Sequence, residues 1–145
     1  MNRIPILIDV DTGTDDAIAI TCALLSQDVL DIRAFSSVMG NVTVDKTSRN
    51  TLNLVRYLGW DYKVSVGAER PLVKDLRVAI SHGNTGLGDV VLPEADQIFY
   101  EKCSCDMIYE EARKANGELQ ILATGPLTNL ALAIQKYPDI KTLIK

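Results

Sequence analysis

The sequence predicts an α/β fold built on an open, mostly parallel sheet with alternating strands and helices. Three observations lead there. Ile4 to Ile8 is an almost unbroken apolar run, which suits a strand buried on both faces. Strand-like and helix-like segments then alternate four times, the pattern of parallel strands joined by helical crossovers. Finally, Asp9, Asp11, Asp15 and Asp16 crowd the end of the first strand, the edge where open α/β sheets build binding sites.

The elements follow in order. After the first strand, Thr12-Gly13-Thr14 reads as a tight turn, with Thr14 a helix N-cap and Asp15 and Asp16 in the first turn of a helix reaching Leu25. Gln27 to Asp31 breaks the pattern, and Ile32 to Met39 reads as the second strand, ending at Gly40-Asn41. Thr43 caps a helix from Val44 to Leu58, whose Leu52, Val55 and Leu58 keep helical spacing and which Gly59 stops. Tyr62 to Val66 is a short third strand. Glu69 to Leu92 is a long loop, denied regular structure by Gly83, Gly86 and Gly88, and it holds the single histidine, His82. A helix is expected over Ala95 to Ala115, with Ile98, Met107, Ile108 and Ala112 on its apolar face and Asn116-Gly117 as its stop. Leu119 to Ala123 is the fourth strand, and Leu127 to Tyr137 the last helix. Ile140 to Lys145 looks like the start of another strand.

The 145 residues are within the size of one domain, and an apolar fraction of 47% supplies a core. A net charge of −4 argues against a nucleic-acid partner, which would call for a basic face. No apolar run approaches the ~20 residues of a membrane span, and the N-terminus lacks the basic start and long apolar core of a secretory signal. Cys22, Cys103 and Cys105 show neither a disulfide framework nor zinc spacing, so a reducing cytoplasm is expected. On the expected helix, Cys103 and Cys105 stand two residues apart and diverge.

The acidic cluster needs a physical reason. Carboxylates a few ångströms apart repel, by a few kcal/mol per close pair at an effective dielectric of ~20. Such a group shares a proton or holds a cation. Asp15 and Asp16 also complement the helix dipole, which leaves Asp9 and Asp11 unexplained. The four strand ends bring Asp11, Asn41, Gly67 and Thr124 to one side of the sheet, where a polar crevice is expected.

Five segments in order resemble one family. Asp9 to Asp16, DVDTGTDD, is similar to the DxDxGxDD signature of the nucleoside hydrolases, which cleave the N-glycosidic bond of ribonucleosides. Val38 to Thr43, Gly67 to Leu72, His82 to Gly88 and Ala123 to Ala131 resemble the family's GN, GA-x-x-PL, HG-x-x-GL and TGPLTN segments. Thr12 stands where many members carry proline. The resemblance implies a Rossmann-like nucleoside hydrolase core, with residues 1–145 the N-terminal half of a longer domain. It also implies Ca2+ held by Asp11, Asp16 and the Thr124 carbonyl, and Asp11 as general base. Asp15 and Asn41 would bind the sugar, His82 would lie near the leaving base, and Asp9 would orient its neighbours. The partner implied is a ribonucleoside, and the full-length protein is expected to be a homo-oligomer, a dimer or tetramer.

Asp9-Val10-Asp11-Thr12-Gly13-Thr14 also looks like the DxDGT loop of haloacid-dehalogenase-type phosphatases, with Asp9 as nucleophile, Asp11 as acid/base and magnesium. Thr12 falls where that family has glycine. A non-catalytic fragment retaining metal or ribose binding is the third possibility.

Overall fold

The computed structural model describes residues 3–79 and 81–145. Four parallel strands form one sheet in the order β3-β2-β1-β4: β1 Ile4–Val10, β2 Leu30–Ser37, β3 Val64–Val66 and β4 Gln120–Ala123. The helices are α1 Thr14–Leu25, α2 Val44–Tyr57, α3 Ser104–Ala115 and α4 Thr128–Lys136, followed by a 3-10 turn at Pro138–Thr142. The predicted open parallel α/β fold is the observed one.

The core confirms why β1 is a continuous apolar run. Ile8 and Val10 pack with Ile20, Leu24, Leu52 and Val55 of α1 and α2. Leu7 packs with Met107, Ile108 and Ala112 of α3 and Ala133 of α4. Alternate residues of one strand therefore enter different apolar layers, so both faces must be apolar. Phe35 and Ala34 of β2 divide in the same way. Each fully buried large side chain contributes about 1.5–3 kcal/mol.

The pairing of β1 with β2 has one irregularity that matters for the site. Ile6 pairs with Ile32, but Leu7 pairs with Ala34, so Arg33 is an extra residue. The bulge shifts the register by one and sets Ser36 opposite Asp9. Without it, Asp9 would face Phe35. A one-residue slip changes what every later pair presents to a given face.

Two expectations need correction. The helix expected from Ala95 begins at Ser104. The residues before it find their backbone partners elsewhere: Ala95 N–H donates to Asn53 Oδ1 at 3.0 Å, and Tyr100 N–H to Val64 O at 2.8 Å. Phe99 packs against the α1–α2 layer beneath the Arg49 guanidinium. Ile98, assigned to a buried helical face, is 89% exposed. The second correction is at the C-terminal end. Residues 138–142 form a 3-10 turn, and the strand character is one parallel bridge between Ile144 and Leu119.

Candidate active site

The strand order reverses at β1. The chain runs β1, β2, β3 outward on one side, then crosses to place β4 on the other. The loops after β1 and β4 therefore diverge, and the crevice between them is the topological switch point, where open α/β sheets bind ligands. The acidic loop occupies that position.

Asp11 sits at the centre and is nearly buried. Its Oδ2 accepts the Asn41 N–H at 2.8 Å. Gly40 and Gly125 close in on it from the loops after β2 and β4. A Cβ on Gly40 would lie 2.1 Å from Asp11 Oδ2, and one on Gly125 would lie 2.9 Å from Oδ1. Both positions need glycine because the backbone touches the carboxylate.

Asp16 is the partner of Asp11. It lies in the first turn of α1, 3% exposed, with Gly13 N–H donating to Oδ2 at 3.2 Å. Gly13 is thus the N-cap, and Thr14, expected to cap, is the first helical residue. Thr124 Oγ1 donates to Asp16 Oδ1 at 2.5 Å, and Asn41 Nδ2 donates to Asp16 Oδ2 at 3.2 Å and to Asp11 O at 3.0 Å. Burial, and then the neighbouring Asp16 charge, push Asp11 up to about 6.

His82 is carried to the same rim from far along the chain. Its Nδ1 lies 3.0 Å from Thr14 Oγ1, and its Nε2 lies 3.9 Å from Asp15 Oδ1. The loop bearing it is tied down by Asn50 Nδ2, which donates to Thr85 O at 2.8 Å and to Thr12 O at 3.2 Å. Lys46 Nζ donates to Asn84 O at 2.7 Å. Asp15 points outward, with its side chain 76% exposed.

Asp9 stands apart from the other three. It is fully buried, and its Oδ1 accepts from Ser36 Oγ at 2.5 Å and Asn129 Nδ2 at 2.8 Å. Its Oδ2 is buried without a partner among the described residues. Burial raises Asp9 to about 6 against the effect of those two hydrogen bonds. It reaches the site through its main chain, where its carbonyl accepts the Thr124 N–H at 3.0 Å. A phosphatase of the DxDGT kind needs Asp9 as an accessible nucleophile. The side chain is sealed beneath the sheet edge, which weighs against that reading.

The polar floor under the site is absent from the sequence-based expectations. Asn129 Nδ2 also donates to Ser37 O at 2.9 Å, and its Oδ1 accepts the Ala68 N–H at 2.8 Å. Thr12 is fully buried, its Oγ1 2.7 Å from Thr51 Oγ1. A signal was present: Ser36 and Ser37 interrupt a strand buried on both faces, and buried hydroxyls need partners.

Two nearly buried carboxylates, with Asp11 raised by the neighbouring Asp16 charge, make a donor set that would suit a hard divalent cation. Asp9 and Asp15 are not brought to that point. Among the described residues, the grouping of three Cys, His or acidic ligand atoms within 4.8 Å is elsewhere, at Cys103, Cys105 and Asp106. The six to eight oxygens calcium takes would therefore be completed by carbonyl, water and ligand oxygens.

Fold and site together define an α/β protein with a buried acidic centre at the switch point of a parallel sheet. The comparisons with known proteins make this specific. The family described as inosine-uridine preferring nucleoside hydrolase matches residues 6–145, and the chain belongs to it. It is 40% identical over 139 residues to the pyrimidine-specific ribonucleoside hydrolase RihA of Citrobacter koseri, covering 94% of this chain and 44% of that protein. It is 38% identical over 138 residues to the non-specific ribonucleoside hydrolase RihC of Klebsiella pneumoniae, covering 94% and 45%. Among solved structures, the purine-preferring ribonucleoside hydrolase from Gardnerella vaginalis superposes with a TM-score of 0.90 at 32% identity, over 97% of this chain and 46% of that one. The plant nucleoside hydrolase PpNRh1 gives 0.91 at 33% identity, over 99% and 46%. The chain thus spans about half the length of the relatives it matches. Among the described residues, no helix is long and apolar enough to cross a membrane.

Proposed function

We propose that the protein hydrolyses the N-glycosidic bond of ribonucleosides to ribose and free base, with calcium at the Asp11–Asp16 pair. The observation that carries the reading is this pair of nearly buried carboxylates, steadied by Asn41 and Thr124 at the sheet's switch point. Bound calcium would orient ribose hydroxyls and lower the pKa of a bound water. Asp11 and Asp16 would hold the cation, with the Thr124 carbonyl as a further donor.

Cleavage of the ribosyl C–N bond passes through an oxocarbenium-like state. Asp11 takes a proton from the attacking water, as general base. Its raised proton affinity reflects burial and the Asp16 charge, and a cation held by Asp11 and Asp16 would offset both by favouring the carboxylate form. Asp15, projecting at the rim, accepts a ribose hydroxyl. Asn41 spends its amide hydrogens on Asp11 and Asp16, which leaves Oδ1 to meet sugar or water. His82, beside Asp15, lies at the mouth, where the departing base would take up a proton.

Base preference is a separate matter. A pyrimidine-specific and a non-specific hydrolase resemble this chain almost equally well, and a purine-preferring one superposes closely. Similarity over this part of the chain therefore does not distinguish which base is preferred. The test is ribose release from uridine and inosine by the intact native protein, with and without calcium. Turnover that needs calcium and vanishes in Asp11→Ala with the fold retained is the expected result. Near-normal turnover in Asp11→Ala removes Asp11 from the base role. No ribose from any nucleoside overturns the proposal.

A further inference from the structure

The beginning of α3 carries a second cluster of metal-binding side chains, away from the aspartates. Cys103 and Cys105 were expected to diverge on one helix. They do not, because the helix begins between them. Cys103 is in the extended N-cap position, with φ −64° and ψ 159°, and Cys105 lies within the first turn. That change of backbone direction brings the two Sγ atoms to 3.1 Å. Asp106 follows directly, its Oδ1 3.6 Å from Cys105 Sγ. One ligand atom from each of the three side chains lies within 4.8 Å of the others.

We propose that Cys103, Cys105 and Asp106 form a binding site for a thiophilic divalent cation of the zinc type. Two thiolates select a soft or borderline ion over calcium or magnesium. Three protein ligands leave one tetrahedral position, which falls on the solvent side because Cys103 is exposed. Charge balances locally. Two thiolates and one carboxylate carry three negative charges, and a divalent cation with the Lys136 ammonium, 2.7 Å from Asp106 Oδ1, offsets all three. Tyr137 OH also donates to that oxygen at 2.9 Å, fixing the carboxylate beside the thiols. Each thiol surrenders its proton to solvent as the sulfur–metal bond forms.

The site also has a structural consequence. Cys103 makes no side-chain capping bond to the first turn of α3, and a cation shared with Cys105 ties the cap to that turn. Ser104, between the two, is fully buried with its Oγ 2.8 Å from Ser65 Oγ. The tie therefore lies where α3 joins the sheet.

The test uses the intact native protein with its thiols reduced. Cobalt(II) is expected to give a sulfur-to-metal charge-transfer band that saturates at one ion per chain and is displaced by zinc. Cys103→Ser/Cys105→Ser removes the band. Serine at an N-cap suits a helix start, so the helix is expected to survive. Asp106→Asn weakens cobalt binding about tenfold. A second readout needs no variant: zinc protects Cys103 and Cys105 from alkylation by iodoacetamide, while exposed Cys22 reacts equally with and without it. Absence of the band, its persistence in the double variant, or equal alkylation of all three cysteines with and without zinc overturns the proposal.

Discussion

Gly40→Ala puts one methyl group against the centre of the site. Gly40 does not use the left-handed backbone region, so alanine costs nothing in conformation there and the effect is steric. The new Cβ would lie 2.1 Å from Asp11 Oδ2 and 2.8 Å from its Cγ, against 3.4 Å for ordinary contact. The carboxylate must retreat by roughly 1 Å, or the Gly40 backbone must, at a cost of about 1–3 kcal/mol for an overpacked site. Either movement strains the Asn41 N–H bond to Oδ2, now 2.8 Å. A displacement of this size at a reacting group costs about 10²-fold in rate. The expected outcome is a kcat about a hundredfold lower for ribose release by the intact native protein, with a thermal midpoint that falls modestly. Gly125→Ala supplies the gradation. Its Cβ would meet Asp11 Oδ1 at 2.9 Å and Val38 Cγ1 at 2.8 Å, a milder clash with a smaller loss. If Gly40→Ala turns over within twofold of the parent, the position of the Asp11 carboxylate does not limit the reaction and the proposed base role fails.

Three other outcomes are expected. Asn129→Ala removes donors from Asp9 and Ser37 and the acceptor of Ala68 N–H, all at 2.8–2.9 Å in a buried place. It should cost about 3 kcal/mol or more, at about 1–3 kcal/mol for each orphaned group, read as a lower urea midpoint with an unchanged slope. Burial raises Glu111, but hydrogen bonds from Lys63 and Lys114 and their charges outweigh it and hold this carboxylate below its usual range. Its folded pKa lies below its unfolded value, so its stabilisation is full above the ordinary carboxylate pKa near ~4.3. It fades as pH falls through the folded pKa. Glu111→Gln should therefore melt lower than the parent at pH 7, with the gap closing toward pH 3, and a gap independent of pH would contradict the assignment. Chelation of calcium should abolish ribose release and lower the thermal midpoint, by the equivalent of about 2.7 kcal/mol if the ion had been present at a hundred times its Kd. Turnover undiminished in chelator would exclude the cation from the reaction.

The comparisons bear on how the site divides its labour. Relatives with different base preferences match this chain to similar degrees over the same half of their length. Under the proposed function, the acidic centre built from β1, α1 and the loops after β2 and β4 would serve the ribose, and selectivity for the base would depend on groups at the rim, where His82 and its anchored loop lie.

Most of the architecture was legible in the residues. Ile4 to Ile8 announced a strand buried on both faces, and the apolar spacings of α2 and α4 placed those helices to within a residue or two. The stops at Gly59 and Asn116-Gly117 were legible as well, since Gly59, Asn116 and Gly117 adopt the left-handed backbone that such stops require. Asp11, Asn41 and Thr124 stand at strand ends in the sequence and Asp16 in the first helical turn, and the fold brings them into one hydrogen-bonded group. The start of α3 was not legible. Ala95 to Lys102 is compatible with a helix locally, and partners on α2 and β3 claimed its backbone instead.

Local chemistry thus determined which residues carry charge, which strands are buried and where the chain turns, because those properties depend on near neighbours in sequence. Tertiary structure decided how the acidic group is divided. Asp9 and Asp11 lie two residues apart, yet the bulge at Arg33 sets Ser36 beside Asp9 and Asn129 arrives from 120 residues away to hold it in the core. Asp11 emerges between Gly40 and Gly125 and meets Asp16. Cys103 and Cys105 converge because α3 begins at Ser104, between them, and not at Ala95. Each of these outcomes depends on contacts made across the fold, and spacing along the chain carries no record of them.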